Sequence, residues 1–324
     1  MTPELSIVIP VLNESPNIAA LYDEVVSALE RSGRTFEIII IDDGSTDDTF
    51  ERLAHLQSRD PRLRVIRFRR NFGQTAAFAA GFAYARGRLV VTMDGDRQND
   101  PADIARMAAL SDEGYDIVCG WRRDRKDTFV TRRVPSILAN KLISWATGVD
   151  LHDYGCSLKV FRAEVVKPLR LYGEMHRFLP AIASQIGVRI TEIVVNHRPR
   201  SAGHSKYGLS RTIRVILDLV TVKFLLSYST RPLQIFGLLG VGAAALGAVI
   251  TAYLGYVRLV LQLPIAERTP LLLVGVLLVF IGVQLVTFGL LAELLARTYY
   301  ESQNKPVYVI REVLQTPDMA HAAS

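Results

Sequence analysis

The chain has 324 residues, of which 49% are hydrophobic, and its mean hydropathy of +0.21 is higher than a fully soluble domain would have. The formal net charge of +6 is compatible with nucleic acid, an anionic lipid or an anionic substrate as partner. The apolar C-terminal stretches described below favour a membrane and exclude nucleic acid. Cys119 and Cys156 lack metal-type spacing, so a cysteine metal site is excluded and both are expected to stay thiols.

Short apolar runs alternate with amphipathic helical patterns over the first 120 residues. Strands are predicted at Leu5–Pro10, Phe36–Asp42, Leu63–Phe68, Leu89–Met93 and Asp116–Gly120. Helices are predicted to begin near Asn17, Asp47, Gly73 and Pro101. Uniformly apolar strands separated by amphipathic helices predict an α/β domain, with a mostly parallel, doubly wound sheet covered on both faces.

Two later segments combine basic and apolar residues at helical spacing. Residues 129–147 suit either a helix packed on the domain or a helix on the membrane surface. Residues 209–228 favour the membrane surface because they lead directly into an apolar stretch.

The stretches Leu233–Val257 and Leu271–Ala292 contain no Asp, Glu, Lys or Arg. Each exceeds the roughly 20 apolar residues that cross a bilayer as a helix, so both are predicted to span a membrane. Basic residues are concentrated outside the pair, at Arg211, Arg214, Lys223, Arg231, Arg297, Lys305 and Arg311. The positive-inside rule then predicts a multi-pass protein of the cytoplasmic membrane, with the soluble domain and both termini in the cytoplasm. The chain start has no secretory-signal pattern.

The two spans are interpreted as an anchor and not as a channel. Their strongly polar interior groups are Gln234 and Gln284, which are too few to line a pathway. Small residues on the first span, Gly237, Gly240, Gly242 and Gly247, allow it to pack against another helix, and a homo-oligomer is possible. The predicted organisation is a soluble domain over 1–208, an interfacial helix over 209–230, the anchor over 231–296 and a cytoplasmic tail over 297–324.

Three polar motifs follow predicted strands: Pro10–Glu14, Asp42–Asp47 and Asp94–Gln98. One such motif alone usually shapes a turn or caps a helix. In an open parallel sheet the carboxyl ends of the strands form the ligand-binding edge, so three motifs there predict a functional site.

The third motif places Asp94 and Asp96 on either side of a glycine. Their like charges favour a bound cation, and hard oxygen ligands favour Mg²⁺ or Mn²⁺ shared with a substrate phosphate, with Gln98 as a further oxygen donor. The alternative is a solvated turn. Asp42 is placed to accept a hydrogen bond from a base or ribose, while Asp47 is expected to cap the next helix.

The segment Arg70–Gln74 precedes a predicted helix, where free backbone N–H groups suit a phosphate. These motifs, in this order, together with Asp153–Cys156 and Gly203–Tyr207, resemble glycosyltransferase family 2. With the two C-terminal spans, the chain is most similar to the polyprenyl-phosphate glycosyltransferases, particularly the undecaprenyl-phosphate aminoarabinose-type group.

The resemblance implies a GT-A fold and transfer of a sugar, with inversion, from a nucleoside diphosphate, UDP in preference to GDP, to a polyprenyl phosphate such as undecaprenyl phosphate. It implies that Pro10, Glu14 and Asp42 hold the nucleobase and ribose, and that Asp42 is a better base contact than Asp43. Metal and diphosphate would bind to Asp94, Asp96 and Gln98.

The resemblance also implies a set of residues for the acceptor phosphate, which a guanidinium or an ammonium group binds well. This set is Arg122, Arg132, Ser136, Arg200, Ser205 and Lys206. The alternative for each basic residue is a solvated side chain or a headgroup contact.

Two positions depart from the family pattern. Arg97 stands where relatives usually carry an apolar residue, and Cys156 stands where some membrane-bound relatives carry an Asp. A lipid monophosphate is already largely dianionic in the cytosol, so it needs no general base and the missing carboxylate is not disabling.

Two other classes of function remain open. A transferase with a hydroxyl acceptor would need a carboxylate base near Cys156, and a non-catalytic lipid-binding scaffold would not need the acidic pair. A flippase is disfavoured by the small polar content of the spans.

Overall fold

The computed structural model describes residues 2–123, 144, 148–169, 171, 175–184, 186–198, 232–262, 264, 268–302 and 307–316. The chain divides into two compact units, one formed by residues 1–219 with 306–324 and the other by residues 220–305. The predicted interfacial helices, over 129–147 and 209–230, lie almost wholly outside the described residues.

The first unit contains an eight-stranded sheet. Its strands are β1 Leu5–Val11, β2 Phe36–Asp42, β3 Leu63–Phe68, β4 Leu89–Thr92, β5 Ile117–Trp121, β6 Lys159–Arg162, β7 Ile190–Val194 and β8 Ile310–Leu314. Its helices are α1 Ser15–Ser32, α2 Thr49–Gln57, α3 Gln74–Tyr84, α4 Asp103–Asp112, α5 Ala163–Val166 and α6 Leu179–Ser184, with a 3₁₀ turn at Met175–Arg177. The five strands and four helices predicted from the sequence are confirmed within a few residues.

The strand order is β7-β5-β6-β4-β1-β2-β3-β8. The sheet is mostly parallel, as expected, with two exceptions: β6 runs antiparallel between β4 and β5, and β8 runs antiparallel along β3. The chain reaches β6 from the carboxyl edge of the sheet, so that strand has to run back across it. The result is a mixed α/β sheet.

Helices cover both faces of the sheet. Residues of α1, α2 and α4 pack with Ile7 and Ile9 of β1 in one core cluster. On the other face α3 lies very close to β1, since a Cβ at Gly81 would be 2.1 Å from Cγ1 of Val8. The strand interiors are buried on both faces, which explains why their sequences are largely apolar and do not alternate with polar residues.

The strand β8 was not predicted and lies within the segment assigned as a tail. It pairs with β3 in the register Val65↔Leu314 and Ile66↔Val313. The run from Val307 to Leu314 is rich in β-branched residues, which was the available signal.

The second unit contains α7 Pro232–Leu259 and α8 Thr269–Ser302. By length and composition, Phe236–Leu259 and Thr269–Leu291 are candidate membrane spans, and only 17% and 11% of their apolar windows are buried. A core helix of a soluble protein would be mostly buried, so this exposure favours lipid contact.

The two long helices pack through glycines. A Cβ at Gly247 would lie 2.5 Å from the carbonyl oxygen of Gly275, and one at Gly240 would lie 2.6 Å from that of Gly282. Such close contact is typical of membrane helices, where small residues allow the backbones to approach.

Gly247→Leu is therefore expected to force α7 and α8 apart and to cost about 1–3 kcal/mol, as overpacking usually does. The measurement is the thermal unfolding midpoint of the detergent-purified protein. Gly242→Leu is the matched control, because a Cβ at Gly242 would meet nothing within 4 Å. Equal midpoints for the two variants would contradict this packing.

Candidate active site

The three polar motifs meet at one edge of the sheet. They follow β1, β2 and β4, which are neighbours in the order β4-β1-β2. The loop at 70–73 follows β3 at the same edge. The predicted convergence is confirmed.

Two glycines allow the loops to touch. At Gly44, where φ is +76°, a Cβ would lie 2.5 Å from the backbone carbon of Arg70. At Gly95 a Cβ would lie 2.7 Å from Cγ1 of Val11 and 3.2 Å from the carbonyl oxygen of Pro10. A larger residue at either position would push the loops apart.

Asp42 is fully buried at the end of β2. Its Oδ1 accepts a hydrogen bond of 2.8 Å from the Ser45 N–H, whereas its Oδ2 is buried with no hydrogen-bond partner. The nearest cation is Arg67, whose Nε lies 3.6 Å from Oδ2. Burial raises the pKa of the Asp42 carboxyl above its ordinary value, and Ser45 and Arg67 only partly offset it. Oδ2 is therefore a buried acceptor atom that the described residues leave without a hydrogen bond.

The neighbouring Asp43 has a structural role. Its two oxygens accept the N–H groups of Phe72 at 2.7 Å and Gly73 at 3.0 Å, which fixes the loop after β3. Asp47 accepts the N–H of Thr49, the first residue of α2, at 3.1 Å. The Asp47 contact agrees with the helix-capping role expected for that residue.

Pro10 lies in β1, where it pairs with Ile41 of β2, and Glu14 lies in the loop after that strand. The N–H of Glu14 donates to Oγ1 of Thr49 at 3.0 Å, and its Oε2 accepts a hydrogen bond of 2.6 Å from Asn17. Both residues are thus fixed beside the Asp42 loop.

The acidic pair lies in the loop after β4, where both side chains are partly buried. Oδ1 of Asp94 accepts a hydrogen bond of 2.6 Å from Nε2 of Gln74, and Oδ1 of Asp96 accepts one of 3.2 Å from the Gln98 N–H. Burial, and then the charge of Asp96, raise the pKa of Asp94, while the charges of Arg122 and Lys159 lower it less.

These oxygens suit a hard divalent cation. Asp94 and Asp96 supply two carboxylates, and the repulsion that raises the pKa of Asp94 is what a cation between them would relieve. No group of three His, Cys, Asp or Glu side chains that could hold a metal occurs among the described residues. The two carboxylates therefore fit a divalent cation that takes its other ligands from outside this pair. Gln98 lies beside the pair, and its Nε2 donates to the Arg198 carbonyl at 3.4 Å.

The unusual Arg97 is turned toward α1. Its guanidinium pairs with Glu24, which also binds Arg198 at 2.9 Å. Its φ of +62° is strained for a residue other than glycine. Arg97 therefore pairs with a carboxylate outside the acidic motif.

Arg122, at the end of β5, forms a bidentate ion pair with Asp153. The two N–H···O distances are 2.7 and 2.9 Å, and the two side chains are only 12% and 8% exposed. Burial would lower the pKa of the Arg122 guanidinium, but the pairing with Asp153 raises it overall. Arg122 is thus fixed beside the loop that carries Cys156.

Both cysteines are free and buried. Burial raises the pKa of the Cys156 thiol to about 11 and that of Cys119 to about 12. Cys156 is therefore a neutral thiol at cytosolic pH and does not replace a carboxylate base.

The model of the family "Glycosyl transferase family 2" matches residues 6–170, the segment that contains all these loops. The chain belongs to glycosyltransferase family 2.

Relatives within glycosyltransferase family 2 align over nearly the whole chain. Dodecaprenyl-phosphate galacturonate synthase of Rhizobium johnstonii is 46% identical over 321 residues, covering 98% of this chain and 95% of that protein. Undecaprenyl-phosphate 4-deoxy-4-formamido-L-arabinose transferase of Edwardsiella ictaluri is 38% identical, covering 96% and 94%. The chain is therefore a glycosyltransferase, and its resemblance to the polyprenyl-phosphate group is confirmed.

Solved structures agree with the fold. Glucosyl-3-phosphoglycerate synthase of Mycobacterium tuberculosis, crystallised with Mn²⁺ and uridine-diphosphate-glucose, superposes with a TM-score of 0.52 at 19% identity over 70% of this chain and 81% of that chain. Mannosyl-3-phosphoglycerate synthase of Rubrobacter xylanophilus gives 0.53 at 17% identity over 68% and 74%. The GT-A α/β fold is thus confirmed.

Most of the expected acceptor-phosphate set in this glycosyltransferase falls outside the described residues. That applies to Arg132, Ser136, Arg200, Ser205 and Lys206. Arg122 is described, as above.

Two residues near the acidic pair were not singled out from the sequence. Gln74 was noted only as part of a loop, yet it holds Asp94. Lys159 is buried at the start of β6, where its ammonium donates to the carbonyls of Tyr154 and Cys156 and thereby holds that loop. A lysine inside an apolar strand was the signal for it.

Proposed function

We propose that this protein is a membrane-bound inverting glycosyltransferase that moves a sugar from UDP to a polyprenyl phosphate. One observation carries the proposal: a buried acceptor oxygen on Asp42 and the acidic pair Asp94 and Asp96 lie in loops at the same edge of the sheet, after β2 and β4 on either side of β1. Such a site suits a ligand with a hydrogen-bonding base at one end and a metal-bound diphosphate at the other. The names of the aligned relatives support a polyprenyl phosphate acceptor.

At the donor's base, Oδ2 of Asp42 is suited to accept the N3–H of uracil, with Pro10 and Glu14 beside it. Cytosine has no hydrogen at that nitrogen, so a carboxylate would discriminate against CDP. This matches UDP as the carrier.

Asp42→Asn tests that contact. Because the Ser45 N–H occupies the first oxygen, the amide group would point its N–H₂ at the base and meet the uracil N3–H donor to donor. UDP affinity is expected to fall about 10- to 100-fold. CDP, which presents an acceptor there, should lose less, so the UDP-to-CDP preference shrinks.

The measurement is isothermal titration with UDP and CDP in the presence of Mn²⁺. Asp48→Asn is the control, since Asp48 lies in the same loop with its side chain 58% exposed. An unchanged UDP-to-CDP ratio in Asp42→Asn would refute the base contact.

Beside the diphosphate, Asp94 and Asp96 would hold Mg²⁺ or Mn²⁺, with the side-chain oxygen of Gln98 as a third metal ligand. When bound, the ion supplies positive charge that offsets the charge growing on the departing diphosphate. Gln74 orients Asp94 for this role through its hydrogen bond.

At the acceptor, an oxygen of the lipid phosphate attacks the anomeric carbon, and the bond from that carbon to the diphosphate oxygen breaks with its electrons leaving on UDP. The attacking oxygen is already ionised, so no proton has to be removed. The high pKa of Cys156 and the pairing of Asp153 with Arg122 both disfavour a hydroxyl acceptor, which would need a base here. The acceptor phosphate is assigned to Arg122, Arg132, Ser136, Arg200, Ser205 and Lys206.

The two apolar helices are assigned as a hairpin that crosses the membrane twice. The pairing of β8 with β3 supports this, because the chain after the second helix returns to the sheet it left. The soluble domain and both termini then lie on one side, in the cytoplasm, where nucleotide sugars and the lipid phosphate of the inner leaflet meet.

The test is an acceptor comparison with the detergent-purified protein and Mn²⁺. Undecaprenyl phosphate, undecaprenol and diacylglycerol are each supplied with UDP-galacturonate or UDP-4-deoxy-4-formamido-L-arabinose, and glycolipid is detected by mass. The proposal expects product from undecaprenyl phosphate alone, lost on chelation. Product from either alcohol would favour a hydroxyl-acceptor enzyme.

A further inference from the structure

We propose that the strand after the second apolar helix, β8, is part of the donor site, and that its Glu312 positions Asp42 for the nucleobase by drawing Arg67 away from it. The inference rests on the proposed function, since it concerns the same base contact. It gives a role to a segment that lies beyond both the nucleotide motifs and the anchor.

Arg67 lies between two carboxylates. Its Nε is 3.6 Å from Oδ2 of Asp42, and its NH1 donates to Oε1 of Glu312 at 3.4 Å. The guanidinium also stacks on the ring of Phe50, 4.1 Å from the centroid. Arg67 and Glu312 are direct partners across the β3–β8 ladder, so their contact depends on the register of that pair.

The way in which Arg67 is shared between Asp42 and Glu312 determines whether Asp42 can bind a base. At 3.6 Å the cation offsets the buried charge of Asp42 without making a hydrogen bond, and Oδ2 keeps its acceptor capacity. Without Glu312, Arg67 would close on Asp42 and occupy that oxygen, because a buried carboxylate and guanidinium favour direct pairing. Nucleobase binding would then have to break the new ion pair.

A second contact joins the same segment to the neighbouring loop. Tyr308 stacks on Phe68 with ring centroids 5.2 Å apart, and Phe68 packs edge-on against Phe72 at 5.7 Å. The N–H of Arg69 donates to the Val309 carbonyl at 3.0 Å. Phe72 belongs to the loop that Asp43 holds, so residues 308–314 also support the loop after β3, beside Asp42.

The test is Glu312→Gln in the full-length, detergent-purified protein. UDP affinity, measured by isothermal titration with Mn²⁺, is expected to fall about tenfold. The affinity for inorganic pyrophosphate, which carries no base, should stay unchanged. A general loosening of the domain would weaken both ligands and would overturn the inference. The matched control is Arg311→Gln, which changes an exposed residue of the same strand and should affect neither ligand.

The claim that Glu312 acts through Arg67 is tested by combining Glu312→Gln with Arg67→Gln. In an Arg67→Gln background, Glu312→Gln should have no further effect on UDP affinity, since the group it restrains is gone. Additive losses would contradict the mechanism. If the unaltered protein binds UDP and Glu312→Gln behaves like Arg311→Gln, this inference fails alone. If the unaltered protein does not bind UDP, the proposed function fails with it.

Discussion

Asp96→Asn is expected to reduce turnover at least about 1,000-fold, on the order of 4 kcal/mol of transition-state stabilisation. The change leaves the loop shape intact but removes one of the two carboxylates that would hold the divalent ion. The measurement is the rate of UDP release with saturating Mn²⁺, UDP-sugar and undecaprenyl phosphate.

Asp100→Asn is the matched control for this change, because Asp100 lies in the same loop but binds Arg198 at 2.9 Å and has no assigned role in the site. It should keep turnover within a few-fold. Near-normal turnover in purified Asp96→Asn would rule out the metal assignment.

The second large effect is expected at the buried ion pair of Arg122 with Asp153. Asp153→Asn would leave the buried guanidinium of Arg122 without its counter-charge, and such losses typically destabilise a protein by about 3–5 kcal/mol. A clear fall in the thermal midpoint of the purified protein should follow. Turnover should fall as well, because the loop carrying Cys156 depends on this pair.

Asp112→Asn provides the comparison, since Asp112 pairs with Arg34 and Arg88 near the surface and is 39% exposed. Such pairs are worth about 0–1 kcal/mol, so its midpoint should barely move. The double variant Arg122→Met with Asp153→Leu should recover part of the stability but not the turnover. Equal midpoints for Asp153→Asn and Asp112→Asn would contradict a buried, strongly coupled pair.

The parts of the fold that could be predicted are the elements that short stretches of sequence specify by themselves. The runs that became β1 to β4 are largely apolar and are followed by helical patterns, so both their type and their parallel pairing could be inferred. The position of β6 between β4 and β5 depends on how a long segment returns to the sheet. The pairing of β8 with β3 joins residues about 245 positions apart, and no local pattern specifies such a partner.

The candidate site was likewise predictable only in part. The motif order predicted which loops meet, but Asp42 and Asp43 are adjacent and chemically identical in the sequence. The hydrogen bonds separate them, because Phe72 and Gly73 occupy Asp43 while one oxygen of Asp42 has no partner. Likewise, the sequence could note Arg97 as unusual, but only the fold shows that it pairs with Glu24 on α1.

The central claim is that the lipid phosphate attacks the anomeric carbon of the UDP-sugar. The most direct test is to identify both products of one reaction with undecaprenyl phosphate, a UDP-sugar and Mn²⁺. Cleavage at the anomeric carbon predicts UDP and an undecaprenyl monophosphate sugar in equal amounts, identified by mass spectrometry. Release of UMP with an undecaprenyl diphosphate sugar would mean that the phosphorus had been attacked instead, and it would contradict the account.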